Sequence, residues 1–150
     1  MGTWTLEFDA PAEFLTANVA LKKHWRVKQA ITKAWRERAF RAAQQAHLPK
    51  GLRRIRIDVV LRFPTRRSRD LPNYESALKP VVDGLGPQLV RNTKRGVEIS
   101  VGYGLIPNDT PEYVDGPHLS FGEPLPRSPM PVPGRVLLTI TDLSAEEATT

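Results

Sequence analysis

Three aspartates and a lysine stand where they could handle a phosphate ester: Asp70, Lys79, Asp83 and Asp109, with Glu75 and Glu112 as further carboxylates. Asp70, Lys79 and Asp83 fall in one short stretch, Arg66 to Leu85 (RRSRDLPNYESALKPVVDGL), which also holds Arg66, Arg67 and Arg69. The arginines attract a polyanion, and the carboxylates repel one unless a cation lies between. A hard ion such as Mg²⁺ or Mn²⁺ takes oxygen ligands and keeps several waters, so two or three convergent carboxylates suffice to hold it. It would admit a phosphodiester to the acidic residues, with Lys79 and the arginines stabilising the charge that develops at phosphorus. The same spacing also fits an ordinary arrangement: Asp70 capping a turn, Lys79 pairing with Asp83 one helical turn on, and Asp109 opening a loop. Spacing alone leaves both open.

A second basic element lies upstream, where Lys22, Lys23, His24, Trp25, Arg26 and Lys28 follow closely after Asn18, which reads as part of a loop. Basic residues interleaved with an aromatic suit phosphates and a stacked base; alternatively Trp25 packs on the helix that follows. His24 has no second histidine nearby and suits a surface role better than metal ligation. The 150-residue chain carries a net charge of +6, and the charge is segregated. Residues 1–70 hold 16 of the 22 Lys and Arg but 6 of the 16 Asp and Glu, so the excess positive charge is in the first half. Such a surface is the electrostatic footprint of a nucleic-acid partner.

Composition narrows the classes. With no cysteine, disulfides, thiolate metal sites and cysteine nucleophiles are excluded. No apolar run approaches the roughly 20 residues that span a bilayer. The opening MGTWTLEFDAPAEF has no basic segment followed by an apolar one, which predicts an intracellular protein without a membrane partner. The length suits one domain over residues 1–150.

These residues need elements to position them. Thr3 to Phe8 alternates Trp4, Leu6 and Phe8 against polar residues, the period of a half-buried strand. From Val27 to His47, Ile31, Ala34, Trp35, Ala39, Ala42, Ala43 and Ala46 recur at helical spacing, with Trp35 as the anchor; Arg36, Arg38 and Arg41 read as a solvated face or a phosphate track. Leu52 to Phe63 alternates as a strand and ends at Pro64, placing Asp70 in a loop just beyond. Asn73 is expected to cap a helix running to Leu85, with a kink at Pro80 or a break that restarts the helix there. Gln88 to Tyr103 reads as a hairpin, Asp109 to Glu112 as a short helical turn opened by Asn108 or Thr110, and His118 to Phe121 as a strand. Residues 122–134, rich in proline, form an irregular loop; Arg135 to Thr141 is the last strand, and 143–150 a frayed acidic tail.

The run RRSRDLPNYESALKPVVDGL, with Asp109 in LIPNDTPEYV downstream and ANVALKKHW upstream, resembles the RusA family of Holliday junction resolvases over most of residues 15–115. It is most similar to the branch in which Lys follows Asn by six and Asp follows Lys by four, as in Asn73, Lys79 and Asp83. Two positions depart from the pattern: Pro72 stands where some members carry a second aspartate, and Asn108 where an Asp pair usually begins.

The resemblance implies an α+β fold with a mixed β-sheet flanked by two main helices, and a small homodimeric, Mg²⁺-dependent endodeoxyribonuclease that cuts four-way DNA junctions. It implies a cytoplasmic setting in a bacterial cell or phage-infected host. Asp70, Asp83 and Asp109 would be metal ligands or their supports, Lys79 would meet the scissile phosphate, and Asn73 would orient the site. Lys22, Lys23, Trp25, Arg26, Arg66, Arg67, Arg69 and Asn73 would contact branched double-stranded DNA. Two other readings stand beside it: a non-catalytic structure-specific DNA-binding protein, and an RNA-binding domain.

Overall fold

The computed structural model describes residues 2–87, 89–100 and 102–144. In chain order the elements are β1 (Thr3–Asp9), α1 (Ala17–Ala20), α2 (Trp25–Gln45), β2 (Ile55–Arg62), α3 (Pro72–Leu85), β3 (Leu89–Thr93), β4 (Gly96–Ser100), β5 (Val114–Phe121) and β6 (Arg135–Asp142). Four strands form a sheet in the order β1-β6-β2-β5, in which β5 runs parallel to β2 and the other pairs are antiparallel. The fold is therefore α+β with a mixed sheet, as the sequence predicts. The β3–β4 hairpin forms a separate two-stranded sheet.

Period-two patterning decides which face of the sheet is covered. Ile55, Ile57, Val59 and Leu61 of β2 are buried, as are Val136, Leu138 and Ile140 of β6, while the intervening residues are half-buried. Their apolar rows join the buried stripes of α2 (Ile31, Trp35, Ala39, Ala42, Ala43) and α3 (Tyr74, Ala77, Leu78, Val81, Val82, Leu85) in one core. Trp35 anchors it. Its indole is almost fully buried, packs against Phe8 and Phe14, and donates its N–H to the Glu13 carbonyl at 3.0 Å, so the buried polar handle is satisfied.

Helices α2 and α3 cross where both are thin. A Cβ on Gly84 would lie 2.4 Å from the Arg36 carbonyl oxygen and 3.1 Å from the Ala39 Cβ. Only glycine lets the backbones come this close, and the alanines of α2 extend the seam.

Three local expectations are corrected. Asn73 does not cap α3: Pro72 occupies the first helical position, where its fixed φ and missing N–H cost nothing, so the cap lies two residues earlier, at Leu71. The Asn73 side chain instead accepts from the Asn18 amide at 3.2 Å and ties α3 to α1. Asn18 lies in that short helix and not in a loop; Thr16 caps it by accepting from Val19. Of the two expectations at Pro80, a kink or a break, the break does not occur: α3 runs on through the buried proline.

Strand β5 begins at Val114, four residues before the predicted start. The strand includes Gly116 and Pro117 because it lies at the sheet edge, where hydrogen-bond donors are needed on one side only and proline is tolerated. Tyr103 lies outside the hairpin and is buried, its hydroxyl donating to the Leu48 carbonyl. Gln88 and Val101, assigned to that hairpin, and residues 145–150 of the predicted tail lie outside the described residues.

The helix crossing gives a direct test. Gly84→Ala is expected to lower unfolding stability by about 2–3 kcal/mol, as overpacking against backbone does. Urea denaturation measures this, and a loss below about 0.5 kcal/mol would show that the crossing yields easily.

Candidate metal and nucleic-acid site

Helix α3 carries the polar stripe Glu75, Lys79 and Asp83, spaced by four. Glu75 and Lys79 are exposed, and Asp83, close to the crossing with α2, is half-buried. Asp109 is brought to it by backbone pairing. The segment after the hairpin docks on the end of α3, with the amides of Tyr103, Gly104 and Leu105 donating to the carbonyls of Gly84, Gly86 and Leu85 at 2.8–3.0 Å. That path sets the Asp109 Cβ 3.9 Å from where a Cβ on Gly86 would be. The Asp83 and Asp109 carboxyls are near enough that each feels the other's charge, and a proton on either would let them hydrogen-bond.

The Asp83 carboxyl is held above the usual carboxylate range. Burial is the largest cause, followed by the hydrogen bond to Asp109 and the Asp109 charge; Lys79 and Arg36 pull the other way without cancelling these. Two neighbouring carboxyls whose ionisation is disfavoured by burial and by each other are the situation a divalent cation relieves. Mg²⁺ needs only one or two carboxylates besides water and substrate oxygens, so the donor set fits it. Lys79, one turn before Asp83, supplies a mobile cation beside the pair.

Asp70 is elsewhere. It precedes α3, its carbonyl accepting from the Asn73 amide at 3.1 Å, and the helix separates it from Asp83 by roughly 20 Å at 1.5 Å per residue. Among the described residues no group of three or more His, Asp or Glu side chains is gathered closely enough to hold a metal ion. One chain thus joins two of the three predicted carboxylates. Asn108 spends its side-chain oxygen on the Asp109 amide at 2.8 Å, and Glu112 is exposed in the turn opened by Thr110.

The predicted nucleic-acid contacts divide by what already holds them. Trp25 is the first residue of α2 and is 54% exposed, with the His24 ring stacked at 5.8 Å and the Arg26 guanidinium 5.3 Å from its centroid. His24 caps α2, its Nδ1 accepting from the Arg26 amide. Lys22 is exposed, and Lys23 is tied to Glu13 at 2.7 Å. In the second cluster Arg69 turns inward. Its guanidinium lies 3.9 Å from the Phe63 centroid, and its terminal nitrogens donate to the Thr65 carbonyl and hydroxyl and to the Arg67 carbonyl. Arg69 shapes the loop, and Arg66 and Arg67 are left on its exposed outside.

Arg36 is the member that reading the sequence missed. The sequence suggests a solvated face or a phosphate track for it, yet it acts electrostatically on Asp83 and its Nε is buried without a hydrogen-bond partner. The available signal was Gly84 opposite an alanine-rich helix, which announces a close approach that draws in residues flanking Trp35.

Compared with known proteins, the chain matches no protein-family model, and no curated protein is significantly similar to it in sequence. None of the described helices is long and apolar enough to cross a membrane.

The raised Asp83 value fixes a sign. A carboxyl that titrates higher folded than unfolded contributes stability that is fully present below the unfolded value and lost as pH rises through the folded one, so the ionised pair costs stability at neutral pH. Asp109→Asn is expected to raise the melting temperature at neutral pH by about 2–4 °C and to leave it little changed in acid. Thermal melts in both conditions check this. Mg²⁺ should raise the wild-type melting temperature and have a smaller effect on the variant; a variant that melts lower at neutral pH would contradict the assignment.

Proposed function

We propose that the protein is a metal-dependent, structure-specific endodeoxyribonuclease of the RusA type, acting as a homodimer on four-way DNA junctions. The observation that carries this reading is the Asp83–Asp109 carboxyl pair, with Lys79 and Arg36 close by. The resemblance across Arg66–Leu85 and the segregated basic charge support it. Asp83 and Asp109 would hold Mg²⁺ or Mn²⁺; when bound, the ion supplies Lewis-acid activation of the phosphodiester and of the attacking water. Lys79 meets the scissile phosphate, and Arg36 keeps the pair partly ionised and in place. Lys22, Trp25, Arg26, Arg66 and Arg67 contact DNA.

In this reading Asp70 works across the dimer. It lies too far from Asp83 to share an ion within one chain, and a two-fold axis offers each carboxyl pair the Asp70 of the other protomer. The separation of Asp70 also favours a second reading, a DNA-binding protein of the same ancestry that no longer cuts.

Cleavage of an end-labelled four-way junction decides between them. Wild type is expected to cut only with Mg²⁺ or Mn²⁺, and Asp83→Asn or Asp109→Asn to cut more than about 100-fold more slowly while binding the junction undiminished in EDTA. Binding without metal-dependent cutting would establish the second reading, and binding to single-stranded RNA alone would end both.

Subunit mixing tests the role of Asp70. Asp70→Asn and Asp83→Asn proteins, each inactive alone, are expected to regain cutting of one strand when refolded together, because a mixed dimer then has one intact site. No recovery would place Asp70 outside the site that Asp83 builds.

A further inference from the structure

We infer that the cavity between the ends of β2 and β5 is a binding site for one unpaired nucleotide, its base against Phe121 and its phosphate on Arg66 and Arg67; the inference rests on the nucleic-acid reading above. The cavity is about 250 Å³ and is lined by Phe63, Thr65, Arg66, Arg67, Arg69 and Phe121, with the backbone from Gly122 to Pro124 closing it. It is smaller than a typical drug-sized pocket, which is right for a single flat ring system and its phosphate.

Its walls are rigid. Phe121 is paired with Leu61 at the end of the parallel β2–β5 ladder, and its ring meets Phe63 at 5.9 Å and Tyr74 at 5.8 Å, both edge to face. Despite that packing it remains 40% exposed and lines the cavity. On the neighbouring ring the Arg69 guanidinium already stacks on Phe63, so the loop from Thr65 to Arg69 holds its shape before any ligand arrives.

The charges on the rim select the ligand. The Arg67 side chain has no partner among the described residues. Arg66 reaches only Glu123, at 3.4 Å, and both of those side chains are more than four-fifths exposed, so the pair opens at little cost. A bare phosphate would suit the arginines and be repelled by Glu123. A nucleotide suits all three: the phosphate takes the arginines, the base face takes Phe121, and an exocyclic amino group on the base edge donates to the Glu123 carboxylate. The base must be unpaired, since a base stacked in a duplex cannot present a face to a side chain.

The test uses the full chain, in EDTA so that nothing is cut, and a single-stranded DNA of about 12 nucleotides carrying 2-aminopurine at one internal position and fluorescein at one end. Anisotropy reports binding, and 2-aminopurine emission reports stacking. Wild type is expected to bind and to quench the emission. Phe121→Leu, which keeps an apolar side chain but removes the ring face, should bind about tenfold more weakly and lose the quenching. Arg67→Glu, on the surface and free of packing, should lose both and answers the question should Phe121→Leu not fold. Binding with unchanged emission, or undiminished quenching by Phe121→Leu, would overturn the base pocket and leave the nucleic-acid reading standing. Absence of any anisotropy change with this strand and with a four-way junction would end both.

Discussion

The close crossing of α2 over α3 is the constraint on which the rest depends. Gly84 has no side chain, so the Arg36 backbone lies where a Cβ would be, and Ala39 fills the space beside it. The consequence is chemical as well as mechanical. The contact takes water from around Asp83 and brings Arg36 near it, and the same end of α3 offers the carbonyls on which the segment from Tyr103 to Leu105 docks. Asp109 follows from that docking. A position that must be small thus sets the solvation of one carboxyl and the location of the other.

Helix α3 then acts as a spacer between two charged regions. Its N-terminal end carries Asp70, the arginine loop and the aromatic cavity; its C-terminal end carries the carboxyl pair with Lys79 and Arg36. The separation of roughly 20 Å along the axis is about twice the screening length at ordinary ionic strength. The carboxyl pair is therefore not neutralised by the arginine loop, although Lys79 and Arg36 lie beside the pair and Asp70 stays with the arginines. The arginines keep their attraction for a polyanion, and Asp83 and Asp109 keep the repulsion that makes a cation welcome.

Much of this is legible in the sequence wherever the signal is local. The alternation in β1, β2 and β6 and the three-four spacing in α2 and α3 follow from which face meets the core, and each gives its element to within a few residues. The failures are also physical. Pro72 outcompetes Asn73 for the start of α3 because a preset φ at the first helical position needs no side-chain cap, and β5 hides its first half behind Gly116 and Pro117 because edge strands tolerate what central strands do not. The pairing of Asp83 with Asp109 depends on contacts remote in sequence and has no local signature. The distance of Asp70 from Asp83 was available, since a helix through Lys79 and Asp83 already sets them a rod's length apart.

The two positions that depart from the resemblance show what local structure has taken from the site. Pro72 starts a helix where an aspartate would have offered oxygens, and Asn108 turns its one carbonyl oxygen onto the Asp109 amide. Pro72 has no side-chain oxygen to offer a cation, and the Asn108 oxygen is shared with the Asp109 amide. The carboxylates left are then few enough that each must be well placed, and placement is what the burial of Asp83 and the docking of Asp109 provide. A pair placed in advance by the packing of α2 on α3 would bind a divalent ion more readily than the same two carboxylates on mobile loops, because the ordering would be complete before the ion arrived.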